Sequence, residues 1–160
     1  MFEVLVFVYE HYWRGDACPE SQQLERKLSA HGFEADQIHA ALVWLDGLNL
    51  AAQSIRLDEQ QAAGPAALQS ASSLRVYSVA EQCHLGAQCL GFVSFLESAG
   101  VLPAAMREIV IDRAMAAPGD PVSVDDLKLI VLMVYWSFGE EPDALVLDEL
   151  CDPAEGRLPH

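Results

Sequence analysis

A chain of 160 residues, 52% apolar and 21% charged, can bury a core without disulfide or metal support, and its composition excludes disorder for the bulk of the chain. Nine basic residues stand against 24 acidic ones, a formal charge of -15. Nucleic acid and anionic membranes are both held largely by Lys and Arg, so neither is expected to bind directly; another protein is the expected partner, with a basic one left open.

Phe2, Leu5, Val8, Tyr9 and Tyr12 recur at helical spacing and predict a first helix that Arg14-Gly15-Asp16 ends. Pro19 suits the first turn of a second helix, whose apolar edge is Leu24 and Leu28 and whose cap is Gly32. Ile38, Ala41, Leu42, Leu45 and Leu48 form the inward stripe of a third helix, with Glu34 and Asp36 near its start, where the helix dipole favours negative charge. After Leu50 the helical period stops. Ser54-Ile55-Arg56-Leu57 and Leu74-Arg75-Val76-Tyr77 alternate polar with apolar and read as two short strands of a β-hairpin. Between them, residues 58–73 are small, polar and broken by Gly64-Pro65, the composition of a flexible loop.

Ser78 and Glu81 have the spacing of a capping box, in which each side chain bonds the other's backbone N–H. A long fourth helix follows to Gly100, with Leu85, Cys89, Phe92, Leu96 and Ala99 as its apolar face. Pro103 opens a fifth helix buried through Met106, Ile109, Val110 and Ala114, and Pro118-Gly119-Asp120-Pro121 stops it. Ser123 and Asp126 repeat the cap in front of residues 123–138. From Leu129 to Trp136 that segment is apolar on every side, too short to span a bilayer and too evenly apolar for a surface helix, so it is expected to be the buried centre of the fold. A short seventh helix from Pro142 to Cys151 is expected on Leu145, Leu147 and Leu150.

The expected fold is therefore mainly α, a compact domain of about seven helices. Residues 1–78 form a three-helix unit with a short hairpin, residues 79–151 a helical half around the central helix, and residues 152–160 an acidic tail. Helix, helix, helix, strand, loop, strand is also the order of a winged helix-turn-helix, with a recognition helix from Glu34 to Leu48. Its exposed positions are Glu34, Asp36, Gln37, His39 and Asp46, and no Lys or Arg lies between Lys27 and Arg56, a surface ill-suited to bases and phosphates.

The reactive inventory is thin. His11, His31, His39, His84 and His160 are dispersed. Cys83 and Cys89 lie about 240° apart round a helix and do not share a face, so a zinc site from them and His84 is not expected. The sequence has no Gly-rich phosphate loop, GxSxG or HExxH. Arg107, Glu108, Asp112 and Arg113 read as a solvated face of the fifth helix. No catalytic, cofactor-binding or metal-ligating residue is expected, and no cofactor. Met-Phe-Glu opens the chain without a basic n-region or a cleavage site, and the four cysteines are scattered, so a cytoplasmic location is expected.

The blocks MFEVLVFVYEHY, LERKLSAHGFEADQIHAALVWLDGL, LRVYSVAEQ, CLGFVSFLESAGVL, REIVIDRAMA and VDDLKLIVLMV occur in order over nearly the whole chain, and together they resemble the Smg family of bacterial proteins. The resemblance implies a bacterial protein with a link to DNA processing; it implies no reaction and no catalytic residues. The leading expectation is a non-enzymatic protein-binding or regulatory module. The alternatives are a winged-helix-type nucleic-acid-associated regulator and an enzyme with an unrecognised site. Tyr135, Trp136 and Phe138, at the end of the central helix, are the residues expected to form an interface.

Overall fold

The computed structural model describes residues 1–12, 20–61 and 75–142. Six helices run through them: α1 (Phe2–Tyr12), α2 (Ser21–Ala30), α3 (Ala35–Gln61), α4 (Val79–Ser98), α5 (Ala104–Met115) and α6 (Val124–Phe138). The seventh helix and the tail at residues 152–160 lie outside the described residues, apart from Pro142, which is buried.

α6 is the centre that its composition predicts. Its residues Leu127, Lys128 and Ile130 to Tyr135 are buried, and α1, α3, α4 and α5 all pack against it. Ser123 caps its start, the hydroxyl accepting from the Asp126 N–H at 3.1 Å. At the other end Gly139, in the left-handed conformation, lets its own N–H reach the Trp136 carbonyl at 2.9 Å and the Glu140 N–H reach the Tyr135 carbonyl at 3.1 Å. The capping box at Ser78 is present as predicted, with the Ser78 N–H donating to Glu81 at 2.7 Å.

The expected hairpin is not formed, and no strand occurs among the described residues. Ser54 to Leu57 continue α3, because Ala52 is buried and Ile55 half-buried at the same helical period as Leu45 and Leu48. Extending a helix already nucleated adds one hydrogen bond per residue fixed, which outweighs a four-residue alternation. Residues 58–61 of the expected loop are the last turn of α3, and Arg75 to Ser78 are extended without a partner strand. The wing of a winged helix is thus replaced by a helix of 27 residues, about 40 Å long.

α3 is tied to α5 by a reciprocal pair of bonds: the Trp44 indole donates to the Arg113 carbonyl at 2.9 Å, and the Arg113 guanidinium donates to the Trp44 carbonyl at 3.3 Å. α4 is not straight. Gly86 takes φ 68 and ψ 169 and breaks the helix, and the His84 carbonyl then accepts from the Val122 N–H at 2.8 Å. Past this kink the inward positions are Cys89, Val93 and Leu96, with the predicted Phe92 only half-buried. The core runs through all six helices.

Candidate functional site

The start of α2, the middle of α3 and the end of α6 meet around a cleft of about 210 Å³. Glu20, Ser21 and Leu24 line it from α2 and its approach, Leu42, Leu45, Asp46 and Asn49 from α3, and Trp136 from α6. Residues 42, 45, 46 and 49 follow the i, i+3, i+4, i+7 period, so one edge of α3 supplies a whole wall. Leu24 and Leu45 are buried and form the floor, while Glu20, Asp46 and Asn49 are exposed at the rim. No cationic side chain among the described residues lines the cleft. Among the described residues the indole N–H of Trp136 has no acceptor, unlike that of Trp44. The cleft therefore offers an aromatic wall and two carboxylates.

The three predicted interface residues are separated by the structure. Trp136 is half-buried and faces this cleft. Tyr135 does not reach the surface as expected: it is only 5% exposed, and its hydroxyl donates to the Val101 carbonyl. Adjacent positions on a helix lie about 100° apart, so Trp136 at the rim turns Tyr135 inward. Burial, and then the Glu140 charge, push its phenol pKa up. Phe138 is half-buried beneath the guanidinium of Arg56, which lies 5.5 Å from its ring centre and donates to the Ser137 carbonyl at 2.8 Å.

A second polar cluster joins α4 to α5. Arg107 is ion-paired with Glu97 and, at 2.8 Å, with Glu108; Arg75 pairs with Glu108 at 2.9 Å and with Glu81 at 2.7 Å. Arg107 is only 7% exposed, which corrects the reading of a solvated face at that residue, while Glu108 and Asp112 are exposed as expected. Hydrogen bonds from Arg75 and from the Ser78 backbone hold the Glu81 carboxyl down to about 2, and the bonds to Glu81 and Glu108 raise Arg75. Burial would raise Glu108, but the bonds from Arg75 and Arg107 outweigh it and leave the group below its ordinary value. Every member is already paired, so the cluster serves as a clamp.

The remaining reactive groups do not converge. Cys83 is exposed and Cys89 buried, where its thiol donates to the Val122 carbonyl at 3.3 Å and burial pushes its pKa up. His84 donates to the Ala114 carbonyl at 3.1 Å. His11, in the last turn of α1, stacks on Phe7 and donates to its carbonyl at 2.8 Å; His31, at the end of α2, packs against the same ring. Among the described residues no three His, Cys, Asp or Glu side chains are placed to hold a metal ion, and no helix is long and apolar enough to cross a membrane.

The cleft was not legible in advance. Asp46 was visible as an exposed carboxylate on the third helix, yet its neighbours Glu20 and Trp136 come from elements far away in sequence.

Three comparisons bear on the chain as a whole. A family model described as "Protein of unknown function (DUF494)" matches residues 1–160. The chain is 61% identical to "Protein Smg homolog" of Leptothrix cholodnii and to that of Methylibium petroleiphilum, and 48% identical to that of Bordetella avium, with 100% of both sequences covered each time. No solved structure matches it.

Proposed function

The chain belongs to the DUF494 family, together with the Smg homologues, and on that premise we propose that it is a non-enzymatic protein-binding module whose cleft takes a basic side chain of its partner. The observation that carries this reading is that Trp136, Glu20 and Asp46 line one cleft in which, among the described residues, no cation stands. A guanidinium stacks well on an indole face and bonds carboxylates through its fork of donors. The indole N–H, without an acceptor among the described residues, suits a backbone carbonyl of the same partner. At about 210 Å³ the cleft is smaller than pockets that enclose a substrate, which run from about 300 Å³ upward, and it suits one side chain. Among the described residues its walls carry no His or Lys that could activate the Ser21 hydroxyl. The same rim repels phosphates, which argues against a nucleic-acid ligand.

A titration followed by nitrogen–proton NMR tests this directly. A capped Gly-Arg-Gly peptide should shift the Trp136 indole resonance, a Gly-Glu-Gly peptide should not, and Asp46→Asn should weaken the response to arginine. Equal shifts with both peptides, or an unaltered response in Asp46→Asn, would sink the reading.

A further inference from the structure

Beside the cleft, α3 carries a second feature that its packing does not use. Val43, Leu50 and Leu57 are 58%, 68% and 54% exposed. Single exposed apolar residues need no explanation. These three, however, are spaced by seven residues, so each lies about 10.5 Å along the helix from the last and turned only about 20° from it. They draw one line about 21 Å long on the solvent side of α3. Asp46 sits about 60° round the helix from Val43, on the side where Leu42, Leu45 and Asn49 line the cleft, so the line and the cleft share an edge.

Resting on the reading of the cleft given above, we propose that the partner presents its basic side chain from an amphipathic helix laid along this line. The seven-residue repeat is the argument for a helix. Apolar side chains at every seventh position of a partner helix recur at the same about 10.5 Å, whereas an extended peptide repeats one face about every 6.8 Å and falls out of step at Leu50. Charge gives the rest of the chemistry. Asp36 continues the line toward the start of α3 and Asp46 flanks it, whereas Arg56, the one cation of α3, is held at the Ser137 carbonyl and over the Phe138 ring. The partner helix is therefore basic beside its apolar stripe, and a second copy of this chain, with its own charge of -15, is the wrong occupant.

The test uses the full chain and three synthetic peptides of about 21 residues. One is helical, with Leu at every seventh position flanked by Arg; the second replaces Arg with Glu; the third keeps the Arg composition but carries a central proline. Fluorescence anisotropy is expected to show binding of the first alone, and Leu50→Glu and Val43→Ser, both surface changes that leave the circular dichroism and melt native, should each weaken it about tenfold or more. Equal binding of the proline peptide, no binding of the helical Arg peptide, or no effect of Leu50→Glu would overturn the proposal. Asp46→Asn and Trp136→Ala separate the two readings: loss of binding in Leu50→Glu with none in these two keeps the helix seat and removes the cleft. The opposite pattern keeps the cleft and removes the helix. Sedimentation should show a monomer, and a dimer abolished by Leu50→Glu would give the line to a second copy and overturn the proposal.

Discussion

Replacing Gly86 by alanine should destabilise the protein, although there is room for the methyl group. A Cβ at Gly86 would lie 3.6 Å from the Pro121 Cβ, an ordinary contact, so packing contributes little to the cost. The backbone supplies it. At φ 68 and ψ 169 Gly86 occupies a region that side chains with a Cβ almost never enter, and forcing a residue into it costs about 1–3 kcal/mol. The alternative is to straighten α4, which withdraws the His84 carbonyl from the Val122 N–H and moves Cys89 off the Val122 carbonyl. Either route loses stability.

Gly91 is the internal control. It lies in the regular part of the same helix with nothing within 4 Å of its would-be Cβ. Gly91→Ala should therefore stabilise by about 0.5–1 kcal/mol, through helix propensity and reduced freedom of the unfolded chain. One substitution in one helix thus carries opposite signs, a gap of about 1.5–4 kcal/mol in urea unfolding, or roughly 2–4 °C in Tm for each kcal/mol. Hydrogen exchange at the Val122 amide tells the two routes apart, since it stays protected if the kink is kept under strain and speeds up if α4 straightens. A Gly86→Ala protein as stable as the native one would refute the claim that the backbone of Gly86 imposes the kink.

Val131→Asp should abolish cooperative folding, because it removes a fully buried side chain worth about 1.5–3 kcal/mol and strands a carboxylate in the core; a near-native melt by circular dichroism would show the centre to be accessible. In the clamp, losing the carboxylates should cost more than losing the cation: a Glu97→Ala and Glu108→Ala double variant leaves Arg107 buried and unpaired, about 3–5 kcal/mol in urea unfolding, whereas Arg107→Met leaves two partly exposed carboxylates that water can solvate. Glu81 gives a pH signature. Its folded value of about 2 lies below the ordinary 4.5, so its contribution is complete above about pH 4.5 and is lost as the pH falls toward 2. With solvent screening that contribution is about 1 kcal/mol, and the stability difference between native protein and Glu81→Gln should vanish across that window.

The starts of the six helices could be read from the sequence because their signals are local. Ser78 with Glu81 and Ser123 with Asp126 are caps decided within one turn, and the all-round apolar run to Trp136 can only be satisfied at the centre of a bundle. What escaped was decided at a distance. The kink at Gly86 depends on Val122, on the far side of α5, offering its N–H to a carbonyl that the helix has to release. Arg107 looked solvated because its partner Glu97 lies ten residues back across the turn between α4 and α5. Tyr135 turned inward because the Val101 carbonyl waits for its hydroxyl. The strands failed for the opposite reason: a local alternation was read correctly as a pattern, but the helix running into it was the stronger structure. The cleft needed three elements at once, and only the α3 share of its wall was periodic enough to see.

The charge of the chain acts differently at its surface than a residue count suggests. Of the described Lys and Arg side chains, all but Arg26 make contacts inside the molecule. Lys27 reaches the Tyr12 hydroxyl and Lys128 lies over Phe92; Arg56 holds the end of α6; Arg75 and Arg107 build the clamp; and Arg113 locks α3 to α5. Glu20, Glu34, Asp36 and Asp46, by contrast, stand exposed on the α2 and α3 side of the bundle. The cations are thus drawn into holding the helices together while carboxylates are left facing outward. On the proposed reading, that division would let α3 keep an apolar line in solvent beside carboxylates that repel a second copy and attract a basic helix.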